Sequence, residues 1–341
     1  MPLFSKNLGV DLGTINVLIY ERGQIVLQEP SLVAVAAEED DHGHINVLEI
    51  GQPAREMMGR VFEEEMQVVR PLQNGVIADY EVTEMMLNYF FGKVAGRLPF
   101  FKPNVMMSVP YGVTSVEKRA VHEAALAAGA RNAYLIWEPL AAAIGAGLPV
   151  STPAGDMVVN LGGGITEAAV LSMNNIVRAD SGRVGGLRLD EGIMAYVRRK
   201  YNLIIGQPTA EAVKIQIGAA INQPQELSME IQGRDNVSGL PRTVNLTTGE
   251  VVEALAEPLA SVATVVKNVL SDTPPELASD IIDRGITLTG GGALLRGIEQ
   301  YLTRETGVPV YRADNPLISV AVGAGRAIDD PTILRQLILS K

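Results

Sequence analysis

The chain has 341 residues, 47% of them hydrophobic, which is enough for about two domains with a large core and unlike a disordered chain. A formal net charge of −11 argues against nucleic-acid binding, because neutralising phosphates needs a basic face. The absence of cysteine excludes disulfides and thiolate zinc sites and fits a cytosolic protein, and three scattered histidines are too few for a histidine metal centre. Apolar runs fall well short of the ~20 residues of a membrane span, and no signal-peptide pattern follows the N-terminus, so neither feature is expected.

The first third of the chain predicts strands, a helix and a further strand. Residues 8–20, LGVDLGTINVLIY, predict a strand, a tight Gly-Thr turn and a second strand. After a third apolar stretch at 24–36 and an exposed acidic turn, residues 82–97 show helical spacing, which LPFFKP at 98–103 ends. NVMMSVP, residues 104–110, predicts the next strand.

A helix with clear boundary signals follows. Thr114 and Glu117 form a T-x-x-E capping box, and Gly129 supplies the C-terminal stop. Strand 133–137 then leads into EPLAAAIGAG, where Pro139 suits the first helical turn.

Residues 156–173, DMVVNLGGGITEAAVLSM, predict a second hairpin around a triple-glycine turn of the kind whose backbone N–H groups can bind a phosphate. This hairpin repeats the first one: both read apolar–apolar–Asp/Asn–Leu–Gly–Gly/Thr and return as an apolar strand, with Asp11 and Asn160 equivalent. Two such hairpins, each opening one half of the chain, together with a TGGG turn at 289–292, indicate a duplicated architecture with a nucleotide cleft between the halves.

The second half alternates helices and strands. Helices are predicted near 188–201 and 208–221, and a long one at 249–270 that Pro258 interrupts, with a strand-rich stretch at 227–247. GITLTGGGALLRGIEQYL then predicts a strand, a glycine turn and a helix, and NPLISVAVGAGRAI a final helix. Strands alternating with helices indicate the α/β class.

The first hairpin offers groups for a phosphate and a metal. Asp11 stands at a strand end, where one carboxylate can hold a hydrated Mg²⁺ beside phosphate oxygens. Gly13 lets the backbone approach a phosphate closely, and Thr14 and Asn16 offer donors. The alternative is an ordinary hairpin turn in which local N–H groups satisfy Asp11.

The second hairpin offers the same backbone with less charge. Gly162, Gly163 and Gly164 can present consecutive N–H donors to a terminal phosphate. Asn160 can accept a hydrogen bond from a metal-bound water but brings no negative charge, and Ile165 places no hydroxyl at the turn. Metal binding is therefore expected to be weaker than in a site with two aspartates.

Three further segments could complete the cleft. Glu138, at a strand-to-helix junction, could orient an attacking water or simply cap the helix. Glu211 and Lys214, three residues apart on a predicted helix, could bracket a ribose and a base, although an ordinary solvated helix face carries the same residues. TGGGALLRG at 289–297 places glycines before a helix N-terminus, where a base or a phosphate can lie.

An apolar surface segment remains. RLPFFKP places Leu98, Phe100 and Phe101 among prolines and basic residues, and such a loop either packs in the core or inserts shallowly into a bilayer. Leu3 and Phe4 could add a second apolar contact. The residues alone do not decide between these two interpretations.

Together these motifs resemble the actin/Hsp70/sugar-kinase superfamily and, within it, the MreB/Mbl family of bacterial actins. The resemblance spans nearly the whole chain and rests most on NGVIADYEVTEMML, EPLAAAIGAGLPV, NLIIGQPTAEAVK, TPPELASDI and LTGGGALLRGIE. It implies an actin-like fold, a ribonuclease H-like duplicated α/β architecture with two halves of two subdomains each around a nucleotide cleft. It also implies domain I at 1–145, with the C-terminal helix 316–341 returning to it, and domain II at 146–315.

The resemblance implies ATP or GTP with Mg²⁺ between the halves, and self-assembly into paired antiparallel protofilaments. It implies a cytoplasmic protein at the inner face of the cell membrane, whose filaments maintain cell shape and guide the cell-wall elongation machinery. Since LPFFKP matches the family's membrane-insertion loop, Leu98, Phe100 and Phe101 would contact the membrane.

Transferred onto this sequence, the family's site residues fall on both hairpins and two later segments. Glu138 would be the water-orienting glutamate, and Asp11 would hold Mg²⁺ through water. The nucleotide-binding residues would be Asp11, Gly13, Thr14, Ile15, Asn16, Asn160, Gly162, Gly163, Gly164, Glu211, Ala212, Val213, Lys214, Gly290, Gly291, Gly292 and Ala293.

The chain departs from the family pattern at four positions. The family's second hairpin reads D-x-G-G-G-T-T, whereas this chain has Asn160 and Ile165. Val17 stands where the first loop usually has threonine, and Leu187 where the family usually has aspartate. If all four lie in one cleft, hydrolysis is expected to be weak, at most that of a slow ATPase, while nucleotide binding through backbone N–H groups survives.

Two alternatives to a filament with its own nucleotide cycle stay open. One is a degenerate paralogue that copolymerises with an active MreB and needs no nucleotide turnover. The other, from the enzyme class, is a small-molecule kinase of the same superfamily, although no obvious catalytic base or substrate-binding insert follows residue 170.

Overall fold

A computed structural model describes residues 6–38, 45–60, 64–95 and 102–339. The elements of its first half begin and end close to where the sequence predicts them. In chain order they are β1 (Asn7–Leu12), β2 (Asn16–Glu21), β3 (Gln24–Pro30), β4 (Val33–Ala36), β5 (Val47–Ile50), α1 (Gln52–Met57), β6 (Met66–Val69), β7 (Leu72–Gln73), β8 (Val76–Ile77), α2 (Tyr80–Ala95), β9 (Asn104–Val109), α3 (Ser115–Ala127), β10 (Asn132–Trp137) and α4 (Glu138–Gly145).

The second half continues the alternation of strands and helices. Its elements are β11 (Asp156–Leu161), β12 (Thr166–Ser172), β13 (Asn175–Gly182), α5 (Gly186–Tyr201), β14 (Leu203–Ile204), α6 (Gln207–Ile217), β15 (Ser228–Asp235), β16 (Pro241–Thr247), α7 (Thr248–Ser271), α8 (Pro275–Arg284), β17 (Ile286–Thr289), a 3₁₀ turn (Gly291–Leu294), α9 (Ile298–Thr306), β18 (Val310–Arg312), α10 (Ser319–Asp329) and α11 (Pro331–Leu339).

Two five-stranded sheets share one topology, which confirms the predicted duplication. The first has the order β10-β9-β1-β2-β3 and the second the order β18-β17-β11-β12-β13, each with an antiparallel three-stranded meander beside two parallel strands. The two hairpins also share their register, since Asp11 lies opposite Leu18 and Asn160 lies opposite Glu167. Asp11 and Asn160 therefore occupy equivalent places in the two sheets.

Smaller sheets and apolar cores complete the two halves. The order β5-β4-β6 adds a three-stranded sheet to the first half, and β14-β15-β16 adds one to the second. One buried apolar cluster fills the first half and a larger one the second, and a third joins them between the sheets, around α4 and α10. Because this third cluster ties the halves together, it fixes where the two hairpins face each other.

Helices α4 and α10 cross in van der Waals contact through glycines. A Cβ atom on Gly145 would lie 1.8 Å from the carbonyl oxygen of Ser319, and one on Gly323 would lie 1.7 Å from that of Ala141. Gly9 on β1 meets the same helix, since a Cβ there would lie 2.1 Å from the backbone nitrogen of Gly325. These glycines allow α10 to pack directly on α4 and on the first sheet.

Gly323→Ala is expected to destabilise the chain by about 3 kcal/mol, because the added methyl group forces two packed helices apart. Gly92→Ala is the matched control: Gly92 lies in α2, and no heavy atom of the described chain lies within 4 Å of the added Cβ. That control should stabilise the chain by about 0.5–1 kcal/mol through helix propensity. Denaturant unfolding of both variants measures the difference, and equal stabilities would contradict the close helix crossing.

Several predicted boundaries need adjustment. Helix α7 runs without interruption through Pro258, although proline has no N–H to donate to the carbonyl of Ala254 one turn earlier. That carbonyl packs against Gly192 on α5, where a Cβ atom would lie 2.9 Å from its oxygen. Helix α6 ends at Ile217, four residues before its predicted end, and a separate helix α11 follows α10. The predicted domain boundaries stay predictions.

Candidate functional site

The first hairpin turn is held by side chains from neighbouring segments. The Ser31 hydroxyl donates to the carbonyl of Gly13 at 2.6 Å, and the Thr14 hydroxyl accepts from the Gly75 N–H at 2.9 Å. A Cβ on Gly13 would lie 2.7 Å from the carbonyl oxygen of Asn16, so the tight turn requires glycine. The turn is thus fixed in position before any ligand binds.

The second hairpin turn is anchored to the N-terminus of α5. The N–H groups of Gly186 and Leu187 donate to the carbonyls of Gly162 and Gly163 at 3.0 and 2.9 Å. A Cβ on Gly163 would lie 2.1 Å from a side-chain carbon of Ile15 on the first hairpin. The two turns therefore face each other in close contact, as the repeat predicts.

Between the two hairpins lies a cavity of about 520 Å³, within the usual size range of small-molecule sites. Most of the predicted site residues line it. These are Asp11, Gly13, Thr14, Ile15, Asn16, Glu138, Asn160, Gly162, Gly163, Gly164, Glu211, Lys214, Gly290, Gly291 and Gly292.

Three other predicted residues do not line this cavity. Val213 and Ala293 are fully buried in the core of the second half, and Ala212 precedes Val213 on α6. Their assignment as nucleotide-binding residues stays a prediction.

A cluster of carboxyl groups lies at the floor of the cavity: the half-buried Asp11 and the buried Glu138 line it, and the fully buried Glu167 lies next to Glu138 outside the lining. Asp11, Glu138 and Glu167 come from β1, α4 and β12, and the Asn160 amide donates to Oε2 of Glu138 at 3.5 Å. Burial, reinforced by Glu138, raises the pKa of Asp11 to about 8. Burial likewise raises the pKa of Glu167 to about 7, and burial together with the charge of Glu167 raises the pKa of Glu138 well above its usual value.

Trp137 holds the N-cap position of α4 without a side-chain cap hydrogen bond, and Glu138 follows as the first residue of the helix. The carboxyl group of Glu138 contacts Asn160 and Glu167 at the cavity floor. The geometry therefore favours a role in the cleft over the alternative of a simple helix cap.

The oxygen-rich floor fits a hydrated magnesium ion. Asp11, Glu138 and Asn160 offer the hard oxygen donors that Mg²⁺ prefers, and a cation would favour the ionised form of carboxyl groups whose pKa burial raises. No three His, Cys, Asp or Glu side chains of the described chain are grouped so as to hold a metal by themselves. Asp11 would thus act through water, with phosphate oxygens completing the shell, as is usual for Mg²⁺.

Two ion pairs form a further part of the cavity wall. Arg55 on α1 contacts Glu211 on α6 at 2.6 Å and so joins the two halves above the cavity. Lys214 contacts Asp190 at 2.7 Å and donates to the carbonyl of Gly186 at 2.9 Å. Both predicted helix residues, Glu211 and Lys214, therefore face the cavity with a partner already in place.

The remaining wall is an apolar slot beside the third glycine segment. Gly290 has φ 81°, and a Cβ there would lie 2.4 Å from the carbonyl oxygen of Leu161, so the chain must turn at a glycine. Ile215, Leu294 and Leu317 line the cavity yet stay 45–70% exposed. Exposed apolar side chains around a cavity suit a flat apolar ligand group such as a base.

The structure places only two of the four departures from the family pattern in the cavity. Asn160 and Ile165 line it, whereas Val17 is fully buried in the core of the first half. Leu187 also lies outside the lining, and its contact with the second hairpin is through the backbone. The expectation that all four share one cleft is therefore wrong, because side chains on a strand alternate between its two faces and Val17 points to the other one.

Sequence reasoning missed Glu167, Asp190 and Arg55. Glu167 could have been found, since it is a charged residue within the apolar run of the second predicted hairpin. Asp190 is less conspicuous, because it lies on a predicted helix that carries several other charged residues. Arg55 carries no such signal, because its contact with Glu211 depends on how the two halves meet.

The predicted membrane residues Leu98, Phe100 and Phe101 lie outside the described residues, as do Leu3 and Phe4. Within the described ranges, no helix combines the length and the apolar character that crossing a bilayer requires.

Comparisons with known proteins agree with the fold. The family model of the MreB/Mbl protein matches residues 5–336. The chain is 48% identical to the cell shape-determining protein MreB of Escherichia coli K12, over 96% of this chain and 94% of that protein. It is 46% identical to the cell shape-determining protein Mbl of Bacillus subtilis 168, over 96% and 97%.

Solved structures give the same result. MreB5 of Spiroplasma citri bound to AMPPNP superposes with a TM-score of 0.90 at 35% identity, covering 100% of both chains. The MamK double helical filament, at 22% identity and a TM-score of 0.78 over 96% of this chain and 99% of that one, shares the actin-like fold. With the family model matching nearly every residue, the chain belongs to the MreB/Mbl family of actin-like proteins.

Proposed function

We propose that this chain is an actin-like cytoskeletal protein that binds ATP or GTP with Mg²⁺ and polymerises into filaments that maintain cell shape. The observation that carries the proposal is the pair of glycine hairpins with equal register on either side of one cavity. The relative MreB5, bound to AMPPNP in one structure and to ADP in another, supports a nucleotide as the ligand.

In this proposal each wall of the cavity has one task. Backbone N–H groups of the two hairpins bind the phosphates, Asp11 holds Mg²⁺ through water, and the apolar slot takes the base. Glu211 and Lys214 contact the ribose and the base, and each gives up part of its present ion pair, with Arg55 and with Asp190, to do so. Magnesium, when bound, supplies positive charge that offsets the phosphates.

Hydrolysis in this chain is proposed to be weak. Glu138 orients the attacking water, but Asn160 contributes no charge and Ile165 no hydroxyl at the turn that faces the terminal phosphate. The same two residues favour the second candidate function, a degenerate paralogue that copolymerises with an active MreB. Either way the filament, rather than turnover, is the main function.

The filaments are proposed to lie at the inner face of the cytoplasmic membrane and to guide the cell-wall elongation machinery. Support comes from the sequence RLPFFKP, whose apolar side chains stand among basic residues, and from the names of the cell shape-determining relatives. The proposed domains are 1–145 with 316–341, and 146–315.

Nucleotide-dependent sedimentation tests the filament. With Mg²⁺ and ATP, GTP or AMPPNP, we expect most of the purified chain to pellet and to show filaments by electron microscopy, and little to pellet without nucleotide. A monodisperse monomer under all conditions would contradict self-assembly, while pelleting only after addition of an active MreB would select the copolymerising paralogue.

Liposome co-pelleting tests the membrane contact separately. Changing Phe100 and Phe101 to serine should remove most binding to liposomes, because shallow insertion depends on apolar area. Tyr89→Ser, which removes an exposed aromatic ring from α2, is the matched control and should keep binding. Retained binding in the double variant would assign the contact to another segment.

A further inference from the structure

Glu167 is a fully buried carboxyl group and the only charged residue of strand β12. It lies on β12 directly opposite Asn160 of β11, so both side chains project from the same face of the sheet. Ala169 and Leu171, two and four residues further along, pack in the cluster around α4 and α10. Glu167 therefore points from the second half of the chain towards the first.

The contacts of Glu167 form a closed ring across the interface of the halves. Oε1 accepts from the Tyr111 N–H at 2.7 Å, whereas Oε2 is buried and receives no hydrogen bond from another side chain or the backbone of the described chain. The carboxyl group lies against that of Glu138, so a proton held between the two carboxyl groups would bond them directly. The Tyr111 ring packs on Trp137 with centroids 5.4 Å apart, and Trp137 directly precedes Glu138. Glu167 thus touches Glu138 directly and reaches it again through two aromatic residues.

We propose that Glu167 is a positioning residue that holds Glu138 in place across the cleft, by bonding to its carboxyl group and to the backbone of the Tyr111 loop. The inference rests on the proposed function for the task of Glu138, orienting water. Glu167 itself does not line the cavity, so it acts through Glu138 rather than on a ligand.

The alternative restraints on Glu138 are weak. Its bond from the Asn160 amide is long at 3.5 Å. Asp11 faces the same cluster and repels an ionised Glu138. A glutamate side chain has three rotatable bonds, and without Glu167 it could take other rotamers into the cavity.

Trp137 makes the test direct, because it is the only tryptophan of the chain and belongs to the ring of contacts. Incorporating 5-fluorotryptophan gives one fluorine resonance that reports on this ring in the nucleotide-free protein. Glu167→Ala should shift or broaden that resonance. Glu167→Gln keeps an acceptor for the Tyr111 N–H, and its amide can donate to an ionised Glu138, so the contact survives with its direction reversed and the wild-type signal should be retained.

A matched control separates positioning from loss of packing. Val170→Ala removes a buried side chain from the opposite face of the same strand, in the cluster of the second half on which Trp137 does not pack, and it should leave the fluorine resonance in place. For phosphate release, Glu167→Ala should lower kcat at least tenfold and change KM less than threefold, whereas Glu167→Gln should stay within threefold of wild type.

A wild-type resonance in Glu167→Ala would overturn the inference, and so would a Glu167→Gln resonance that differs from wild type. If Glu167→Ala fails to fold, the glutamine variant, which keeps the shape of the side chain, decides alone. Calorimetry with AMPPNP and Mg²⁺ keeps the two proposals apart: a wild-type chain that binds no nucleotide refutes the proposed function, while the resonance still tests the position of Glu138.

Discussion

Asn160→Asp is expected to lower the melting temperature of the nucleotide-free chain by roughly 5 °C or more at pH 8, and by much less at pH 4.5. The new carboxyl group would stand opposite Glu167 and beside Glu138, in a cluster that already contains the carboxyl group of Asp11. Neighbouring buried carboxyl groups cannot all ionise without cost, and a pKa raised by roughly two units corresponds to about 3 kcal/mol.

The sign of the pH dependence follows from the direction of that shift. A carboxyl group whose pKa is higher in the folded than in the unfolded chain stabilises the fold fully at pH values below its unfolded pKa. This stabilisation is lost as the pH rises through the folded pKa. The wild-type chain has the same dependence through Asp11 and Glu167, whose pKa values burial raises to about 8 and about 7, so the variant steepens an existing trend.

Thermal unfolding at the two pH values, with and without Mg²⁺, measures the effect. Asn175→Asp makes the same chemical change at an exposed position of β13 and should move the melting temperature by about 1 °C at most. Mg²⁺ should restore part of the loss in Asn160→Asp and none in the control. A loss of melting temperature relative to wild type that is equal at pH 4.5 and pH 8 would contradict the view that the Asn160 amide avoids a further buried charge in this cluster when no cation is bound.

Adding Ile165→Thr to Asn160→Asp should raise the rate of phosphate release at least tenfold, because a charge and a hydroxyl return to the turn that faces the terminal phosphate. A single-turnover assay with saturating ATP and Mg²⁺ measures the rate. Val17→Thr is the control, since its side chain lies in the core and should not raise the rate. An unchanged rate in the double variant would place the cause of weak hydrolysis elsewhere.

Local patterns made both hairpins predictable. The alternation of apolar residues, the position of the glycines and the repeat of Asp11 by Asn160 are short-range features, and the two turns have equal register as the repeat requires. The capping box of Thr114 and Glu117 forms as expected for the same reason. The residues that make up such signals lie within a few positions of each other, so local backbone geometry determines the conformation that they adopt.

Contacts between the halves were not predictable from these patterns. Arg55 and Glu211 meet only because α1 and α6 face each other across the cavity, and the ring through Glu167 needs β12, α4 and the Tyr111 loop together. Val17 shows the opposite error, because a comparison of motifs does not say which face of a strand a residue occupies. The direction of a side chain depends on the register of its strand, and a sequence motif does not give that register.

Lys214→Met is expected to destabilise the chain by about 3–5 kcal/mol, because it leaves the buried Asp190 without its cation. Burial already raises the pKa of Asp190, and Lys214 opposes that shift. Without the lysine the pKa of Asp190 rises further, so the loss of stability should be larger at pH 8 than at pH 5, where the neutral carboxyl group is less costly.

Lys267→Met is the matched control, since Lys267 pairs with Glu305 at 2.8 Å on the surface and should cost less than about 1 kcal/mol. Combining Lys214→Met with Asp190→Leu removes both charges and should recover most of the loss. Urea unfolding of the two single variants and the pair gives the coupling free energy. If Lys214→Met costs no more than Lys267→Met, Asp190 must be neutral in the folded chain, and Lys214 would then be free to bind a nucleotide without breaking an ion pair.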